Sequence, residues 1–575
     1  MAPTALPPNS TIARDDANAR KFAPQAWLSR PESPLRGASD GPLAGLCFAV
    51  KDNFDVLGLR TTAACPGFGY QATASAVSVH KLLQSGAVLV GKTNLDQFAC
   101  GLNGTRSPWG AVPNSFNPLY VCGGSSSGSA YVVATGQVDF ALGTDTAGSG
   151  RVPAGLNNLV GLKPSKGLVS SAGVVPAAQS IDCVSIFAGN VGLAAKILSV
   201  LAGHDPADPY SRSLTLATQP LPAAFRFGVP ASLEFFGDEL SRLEFANAVQ
   251  KLKDLGGKQV RFDYSVLAET ATLLYESALV AERYSAIRVF FDEHEAQVME
   301  PVRSIVAAGK CYSAADLFAA QLRLAVLSQR AARLWHQFDV LLVPTTPSHY
   351  RIADMLADPV ELNRRLGIYT NFVNLLDYAA LAVPSSIRSD GLPFGITLVA
   401  PSGSDWQLAE IGQRFHLASG LTQGATGIPL PAAEAIPGLR KPATVRVAVV
   451  GAHLSGMPLN WQLVERGAVL ISKTTTAPDY RLFALRNSTP PKPGLLRVKA
   501  GEGYRIEVEI WEMPADQYGS FVALIPYPLG IGTLVLDDQS SVQGFVCEAL
   551  ALNDAEDISV HRGWRAYLSG LNKHG

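Results

Sequence analysis

The sequence lacks an excess of charge of either sign. Its 575 residues include 47 lysines and arginines against 48 aspartates and glutamates, a formal net charge of −1 at pH 7. Nucleic-acid binders and proteins of anionic membranes usually carry a clear basic excess, so this balance argues against both classes. Charged residues are also scarce, at 17%, whereas 47% of the residues are apolar. A chain of this length and composition can fold around a large core and exceeds one ordinary domain.

Long hydrophobic runs and paired cysteines are missing as well. Apolar runs such as Tyr378–Val383 have the length of a strand, not the roughly 18 residues of a membrane span. The N-terminal sequence has no apolar segment typical of a secretory signal peptide. Seven cysteines occur without a C-x-x-C pair, which is typical of reduced, cytoplasmic proteins and not of disulfide frameworks or zinc sites. We expect a cytoplasmic protein without a metal or cofactor.

The pattern of strand-like and helix-like segments predicts two domains. Residues 1–40 are rich in Pro, Ala and polar residues and are interpreted as a loosely attached arm. Over residues 41–422, short apolar runs alternate with helical patterns, which predicts an α/β domain with a mixed or largely parallel sheet covered by helices. Residues 423–444 form a Gly/Pro/Ala-rich break, interpreted as a linker. Residues 445–575 contain many short strand-like runs, which predicts a smaller β-rich domain.

The densest candidate for chemistry is the segment 122–155, in which two Gly/Ser-rich turns are separated by a helix-compatible run and a strand. The segment contains neither G-x-x-x-x-G-K-[ST] nor G-x-G-x-x-G, so a phosphate-binding loop is disfavoured. A flexible Ser/Gly loop would explain Ser125–Ser127. It would not explain the second turn, DTAGSG, where Ser149 lies between glycines that let backbone N–H groups approach a reacting oxygen.

A serine nucleophile needs a base, and the residues alone leave the base open. The histidines of this half of the chain, His80 and His204, lie in a helical run and a loop. Lys51 follows the apolar run LCFAV, which would place its amine at the end of a buried strand. Burial would have to lower its pKa toward neutrality. On position alone, a solvated surface lysine is the commoner interpretation.

Three segments together resemble the amidase signature family of serine hydrolases: GGSSSGSA…GTDTAGSGRVPAG, AVKDNFDV and TNLDQFACGLNGTRSPWG. The resemblance covers roughly residues 40–420, and it implies the α/β amidase signature fold. It implies Ser149 as the nucleophile, Ser125 in a cis peptide as the bridging serine, and Lys51 as the base. It further implies Gly124 as a substrate-binding position and an oxyanion hole made by the backbone N–H groups of Thr146, Ala147, Gly148 and Ser149.

Three positions depart from the commonest form of the family signature. Ser127 and Ala147 stand where glycine is usual, and Gly150 stands where isoleucine is usual. All three lie beside the reacting groups and replace none of them. They leave the catalytic assignment intact and place only the substrate class in question.

The segment ATLLYESALVAERYSAI, in a helix predicted around residues 268–298, resembles that of allophanate hydrolases. There a tyrosine and an arginine eight residues later bind the substrate carboxylate, which implies this role for Tyr275 and Arg283. In a continuous helix these side chains lie about 12 Å and about 80° apart, so the helix must bend or end at the pocket. On spacing alone, an ordinary helix with Arg283 paired to Glu282 or Glu276 is favoured; the resemblance reverses this order.

The last domain supports the same resemblance. GAHLSGMPLN, TAPDYRLFAL, IPYPLGIGTLVL and GFVCEA resemble the C-terminal domain of allophanate hydrolases, which is similar in fold to γ-glutamyl cyclotransferases. The resemblance implies that this domain decarboxylates N-carboxycarbamate, and His453 is the candidate acid or base. A structural histidine is the alternative. Asp557, Glu507 and Glu509 are weaker candidates because charged residues on strands usually face water.

The resemblance therefore implies a homodimeric hydrolase that converts allophanate to ammonia and N-carboxycarbamate. The sequence has no biotin-attachment segment, so we expect a separate urea carboxylase, or a biuret hydrolase, to supply the substrate. The alternatives are a small-amide amidase, the glutaminase subunit of a tRNA amidotransferase, and an inactive amidase-fold scaffold. The glutaminase subunit would not carry residues 445–575, and the intact Lys51, Ser125 and Ser149 argue against a scaffold.

Overall fold

The computed structural model describes residues 23–222, 224–440, 443–486 and 488–571. The chain divides after residue 440 into two compact units. Each unit has its own apolar core. None of the described helices combines the length and the apolar character that crossing a membrane requires.

The described residues of the first unit form sixteen strands. In chain order they are β1 (Trp27–Ser29), β2 (Leu35–Arg36), β3 (Cys47–Lys51), β4 (Arg60–Thr61), β5 (Tyr70–Gln71), β6 (Val88–Thr93), β7 (Phe140–Asp145), β8 (Val160–Lys163), β9 (Cys183–Ala188), β10 (Arg226–Pro230), β11 (Lys258–Phe262), β12 (Val340–Pro344), β13 (Tyr378–Ile387), β14 (Pro393–Pro401), β15 (Thr422–Gln423) and β16 (Ile428–Pro429).

The helices of the same described part are α1 (Val77–Gln84), α2 (Ser127–Ala134), α3 (Val152–Leu156), α4 (Val191–Leu201), α5 (Glu239–Asp254), α6 (Ser265–Glu276), α7 (Ala281–His294), α8 (Val302–Ala308), α9 (Ala314–Ala332), α10 (Ile352–Ala357), α11 (Glu361–Leu366), α12 (Phe372–Leu375) and α13 (Asp405–Ser419).

Across the described residues, a twelve-stranded mixed sheet forms the centre of the first unit. Its order is β1-β6-β3-β7-β9-β8-β13-β14-β12-β10-β11, with β2 also paired to β6. The pairs of β3 with β6 and β7, and of β10 with β11 and β12, are parallel. Strands β3, β7, β8 and β9 are buried along their whole length, which explains their nearly continuous apolar runs. The mixed α/β architecture expected from the sequence is therefore present.

Part of the segment interpreted as a loose arm belongs to this sheet. Strands β1 and β2 pair with β6, and Trp27 is buried. The indole Nε1 of Trp27 donates to Gln137 Oε1 at 2.8 Å, which ties the segment to the loop before β7. Residues 27–36 are thus part of the sheet edge. The arm predicted at residues 1–22 lies outside the described residues.

Most of the segment interpreted as a linker, residues 423–444, packs on the first unit. Strands β15 and β16 pair with each other. The side chain of Gln413 donates to the Glu434 carbonyl at 2.7 Å, and Arg440 N donates to the Thr218 carbonyl at 2.8 Å. These contacts show that the chain up to residue 440 is tied to the α/β unit.

The described residues of the second unit form β17 (Thr444–Val449), α14 (Trp461–Val464), β18 (Val469–Thr475), β19 (Tyr480–Ala484), β20 (Pro493–Arg497), β21 (Glu507–Pro514), α15 (Ala515–Val522), β22 (Leu529–Val535), β23 (Ser541–Cys547), β24 (Glu556–Asp557) and α16 (Trp564–Leu571). These strands form a five-stranded sheet, ordered β18-β21-β17-β23-β22, and a three-stranded sheet, ordered β20-β19-β24. The separate, β-rich character expected from the sequence is present.

We expect a chain ending at Arg440 to fold by itself, because it keeps its own core and the contacts of residues 423–440. It should give one cooperative thermal transition by circular dichroism. A chain ending at residue 422 is the matched control, and it should melt at a lower temperature because β16 and the Gln413–Glu434 contact are lost. Aggregation of the longer fragment, or equal melting temperatures for both, would contradict this account of the boundary.

Candidate active site

The ends of two neighbouring buried strands position the candidate base. Lys51 is the last residue of β3, and Thr144 is the penultimate residue of β7, which lies parallel to β3. Because parallel neighbours end at the same edge of a sheet, both side chains reach the same place. Lys51 Nζ donates to Thr144 Oγ1 and to Ser125 Oγ, each at 2.7 Å. The structure thus joins two of the three predicted catalytic side chains directly.

The environment of Lys51 changes its acidity. Its side chain is fully buried, at 0% exposure, and this burial lowers its pKa from 10.5 to about 7. Arg283 lowers the pKa slightly further, while the carboxylates of Asp96, Asp182 and Asp145 raise it. Near neutral pH a large fraction of the amine is therefore uncharged and able to accept a proton.

A cis peptide bond between Gly124 and Ser125 presents the Ser125 hydroxyl to Lys51, as the resemblance implies. The Ser125 carbonyl accepts a hydrogen bond from Asp96 N at 3.0 Å. A Cβ atom at position 124 would lie 2.2 Å from Asp96 Oδ2. Only glycine fits this backbone, so Gly124 has a steric role in addition to the substrate-binding role predicted for it.

Ser149, the predicted nucleophile, is buried on the turn between β7 and α3, with 2% exposure. Its Oγ donates to the Gly101 carbonyl at 3.4 Å. Within the described residues no hydrogen bond joins Ser149 Oγ to Ser125 Oγ. A proton relay between the two serines needs a rotation of the Ser149 side chain away from Gly101, since catalytic hydrogen bonds often tighten only with substrate bound.

A buried ion pair holds the turn that carries Ser149. Arg151 Nε and Nη2 donate to the two carboxylate oxygens of Asp145, both at 2.9 Å, and Gly150 N donates to Asp145 Oδ2 at 3.1 Å. Although burial favours the protonated acid, the Arg151 guanidinium lowers the pKa of Asp145. Gly148 has φ +140°, and a Cβ there would lie 2.4 Å from Thr370 Oγ1. The turn therefore requires glycine at this point.

Asp182 was not predicted from the sequence, yet it contacts the same turn. It precedes β9 and accepts a hydrogen bond from Thr146 Oγ1 and another, at 2.8 Å, from Ala177 N. Burial raises its pKa to about 6, and its hydrogen bond with Thr146 opposes the rise. The carboxylate thereby holds Thr146, the first residue of the predicted oxyanion hole. In the sequence, the only sign of this role is that Asp182 is an acidic residue directly before a buried strand.

Packing accounts for one of the departures from the family signature. At Gly150 a Cβ atom would lie 2.4 Å from Ser185 Cβ, so the isoleucine usual there could not fit beside Ser185. Ser127 and Ala147 are both buried, and Ser127 Oγ has no hydrogen-bond partner among the described residues. Nothing else in the structure explains these two substitutions.

The helix predicted around residues 268–298 is broken, which corrects the sequence-based expectation. Helix α6 ends at Glu276, and Ser277 is extended, with φ −139° and ψ 174°. The Ser277 hydroxyl accepts a hydrogen bond from Leu279 N at 3.3 Å, and a 3-10 turn over Ala278–Val280 leads into α7. The hydroxyl satisfies a backbone donor outside the helix, which is a known way for serine to compete with helix propagation.

The break brings Tyr275 and Arg283 together. Arg283 Nη2 donates to Tyr275 Oη at 3.2 Å, and the guanidinium carbon lies 5.1 Å from the tyrosine ring centre. Arg283 is 4% exposed, and its Nε and Nη1 have no hydrogen-bond partner in the described part of the chain. The alternative pairing with Glu282 is not formed, because that carboxylate accepts hydrogen bonds from Ser180 N and Oγ, both at 2.7 Å.

A buried guanidinium with two unpartnered N–H donor atoms is a suitable site for a small planar anion. Its charge also acts on Lys51 and Asp182, whose pKa values it lowers. The predicted carboxylate-binding residue Arg283 and the predicted base Lys51 thus influence each other electrostatically. The described residues contain no group of three His, Cys, Asp or Glu side chains that could hold a metal ion.

In the second unit, His453 follows β17 and lines a cavity of about 200 Å³. Its ring hydrogen-bonds Gln462 Oε1 through Nε2 at 2.8 Å. Burial lowers its pKa. The weaker candidates are placed elsewhere: Asp557 lies on exposed β24, and Glu509 is buried in a network with Arg565. Neither these two nor Glu507 line the cavity.

Comparison with known proteins gives two family matches. A family described as Amidase matches residues 9–409, and the allophanate hydrolase C-terminal domain matches residues 445–569. Together the two matches include all of the candidate residues discussed above.

Individual relatives agree with these matches. The urea amidolyase of Saccharomyces cerevisiae is 43% identical over 547 residues, which are 92% of this chain and 30% of that protein. The chain thus spans about a third of the curated urea amidolyases it matches. The structure of Kluyveromyces lactis allophanate hydrolase is 41% identical with a TM-score of 0.76, covering 98% of this chain and 97% of that one. A glutamyl-tRNA(Gln) amidotransferase chain from Thermotoga maritima is 28% identical, with a TM-score of 0.61, covering 74% of this chain and 94% of that one.

We expect Ser149 to react with a small sulfonyl fluoride, and the reaction rate to rise with pH through about 7. The reason is that the Lys51 amine becomes neutral above its lowered pKa and can then accept the serine proton through Ser125. Mass spectrometry of the intact protein and its peptides measures the rate and the site of modification.

Two variants complete this labelling experiment. Lys51→Met should abolish the reaction, whereas Lys258→Met, which removes an exposed lysine of the same sheet, should leave it unchanged. A rate that is independent of pH between about 6 and 9, or undiminished labelling of Lys51→Met, would contradict the role of Lys51 as the base.

Proposed function

The chain belongs to the amidase family and carries an allophanate hydrolase C-terminal domain, and from this premise we propose that it hydrolyses allophanate (urea-1-carboxylate) to ammonia and N-carboxycarbamate. The observation that carries the proposal is the buried Arg283 guanidinium, which has two unpartnered donors beside Tyr275. A neutral small amide would leave this charge buried and unpaired, which is costly. The carboxylate of allophanate supplies the missing partner.

In the proposed mechanism, Ser149 attacks the terminal carbonyl carbon of allophanate. Its proton passes through Ser125 to the neutral amine of Lys51, and the 2.7 Å contact between Lys51 Nζ and Ser125 Oγ supports this relay. The proton then returns to the leaving nitrogen, ammonia departs, and an acyl-enzyme remains. Water hydrolyses the acyl-enzyme by the same path in reverse, which releases N-carboxycarbamate.

The oxyanion formed in both steps would be stabilised by the backbone N–H groups of Thr146, Ala147, Gly148 and Ser149. The turn is fixed on one side by the Asp145–Arg151 ion pair and on the other by the contact of Thr146 with Asp182. Preorganised donors of this kind stabilise a transition state by about 3–4 kcal/mol each. Gly124 is the proposed substrate-binding position next to Ser125, and Asp96 fills the space that a side chain there would need.

Two alternatives remain open to test. The relatives include amidotransferase subunits, so a glutaminase or a small-amide amidase is the second candidate, but residues 445–569 match a domain described for allophanate hydrolases. An inactive scaffold is the third, and the lowered pKa of Lys51 argues against it, since a structural lysine gains nothing from such an environment. Ammonia release compared across allophanate, malonamate, biuret and glutamine separates these cases.

For the second unit we propose decarboxylation of N-carboxycarbamate, with His453 as the acid or base. The cavity beside His453 supports the proposal because it can hold a molecule of this size.

We also propose a homodimer that acts in the cytoplasm. None of the seven cysteines forms a disulfide in the described part of the chain, which supports that location.

The substrate must come from another reaction. Urea amidolyases match this chain over only 30% of their length, and their name states that they act on urea. We propose that a separate urea carboxylase supplies allophanate. A biuret hydrolase is the alternative source, because hydrolysis of one terminal amide of biuret gives the same acid.

We expect Arg283→Lys to raise KM for allophanate by roughly ten- to a hundred-fold, because the planar fork and about 1.5–3 kcal/mol of charge-assisted hydrogen bonding are lost. KM for biuret, in which a neutral amide replaces the carboxylate, should change much less. Steady-state ammonia release measures both. Arg288→Lys, on the exposed side of α7, is the matched control, and equal effects of Arg283→Lys on the two substrates would rule out contact with the carboxylate.

We expect His453→Gln to leave the first equivalent of ammonia unchanged and to delay carbon dioxide release. The delay follows if the second unit acts only on the product of the amidase step. Rapid-mixing measurements of ammonia and carbon dioxide in parallel give the lag directly, before spontaneous decarboxylation hides it. Absence of a lag would leave His453 with a structural role only.

A further inference from the structure

The cavity beside His453 also contains a lysine that the sequence analysis did not single out. Among the described residues, four polar side chains line it: His453, Gln462, Thr489 and Lys492. The other lining residues are small or apolar, among them Leu529 and Phe545. A cavity of about 200 Å³ suits a ligand of only a few non-hydrogen atoms.

His453 is held firmly in this cavity. Its ring stacks on Phe545, with 5.0 Å between centroids and 25° between planes, while Nε2 contacts Gln462. Its carbonyl accepts a hydrogen bond from Asn460 Nδ2 at 2.9 Å. Burial lowers its pKa, and the positive charge of Lys492 lowers it further. The imidazole is therefore neutral near pH 7, and it cannot by itself neutralise an anionic ligand.

Lys492 is the cation that faces this cavity. Its side chain is partly exposed, and Nζ donates to the Thr489 carbonyl at 3.2 Å. In the described part of the second unit it forms no ion pair, in contrast to Lys473, which lies 3.6 Å from Glu509. A lysine that lacks an acidic partner attracts anions into the space it faces.

We propose that Lys492 binds a carboxylate of N-carboxycarbamate and is the anion-binding residue of the second unit. This inference rests on the decarboxylation proposed above and adds to it the group that recognises the substrate. The ligand class is a small dicarboxylate whose two carboxyl groups share one central atom. Lys492 holds the carboxylate that is retained, and His453 lies beside the same ligand.

The step balances with these groups. The bond between the nitrogen and the departing carboxyl carbon breaks, and its electron pair goes to the nitrogen. The nitrogen takes one proton from solvent, relayed by His453, and the products are carbon dioxide and carbamate. Carbamate keeps its charge beside Lys492. The apolar part of the wall favours neutral carbon dioxide over the charged carboxylate from which it forms.

Binding is tested with malonate, a stable dicarboxylate whose two carboxyl groups share one central carbon, on the full chain labelled with ¹⁵N-histidine. The ring signal of His453 is assigned by its absence in His453→Gln. Malonate should shift this signal in the unsubstituted protein, in Lys492→Arg, and in Lys499→Met, which removes an exposed lysine that does not line the cavity. In Lys492→Met the affinity should fall at least tenfold. An equal affinity in Lys492→Met would overturn the proposal.

Turnover of ¹³C-labelled allophanate provides the second test, with rapid quenching and NMR detection. Lys492→Met should accumulate N-carboxycarbamate while the first equivalent of ammonia appears at the normal rate. Accumulation in His453→Gln but not in Lys492→Met would overturn the role of Lys492 and leave the proposed decarboxylation in place. Accumulation in neither variant would refute decarboxylation by the second unit, and the role of Lys492 with it.

Discussion

The burial of Lys51 at the end of β3 is the constraint on which the rest of the site depends. A fully buried ammonium is costly, and the protein offsets the cost only in part, through the hydroxyls of Ser125 and Thr144 and more distant carboxylates. Each of those carboxylates is occupied elsewhere; Asp145, for example, is paired with Arg151. Lys51 can therefore bind and release a proton near neutral pH, since no carboxylate of the described residues forms an ion pair with it.

A second constraint bears on the substrate proposed above. The break at Ser277 turns two side chains from separate helices toward each other, and it leaves the Arg283 guanidinium buried with unused donors. Because Arg283 also lowers the pKa of Lys51, an anion bound there would partly cancel that effect. The proposed binding of substrate at Arg283 and the acidity of Lys51 are therefore linked.

Spacing and composition predicted the two domains and the mixed sheet, because strand ends and glycine turns leave visible patterns. The roles expected for Lys51, Ser125 and Ser149 came from the resemblance to the amidase signature family. Spacing and composition did not reveal Asp182, whose partner Thr146 lies 36 residues away and shares no motif with it. They also predicted one helix where there are two, since every residue from 268 to 298 is compatible with a helix. The end of α6 is set by side-chain hydrogen bonds such as that of Ser277. Such bonds leave no periodic pattern in the sequence from which they could be predicted.

The central claim is that burial makes Lys51 a neutral base near physiological pH. The most direct measurement is the pH dependence of the Lys51 ¹⁵Nζ chemical shift in the full chain labelled with ¹⁵N-lysine, with the signal assigned by its absence in Lys51→Met. The account requires a titration midpoint near pH 7, well below that of an exposed lysine. A midpoint close to 10 would contradict it, because the amine would then be protonated throughout the range in which it is proposed to accept the serine proton.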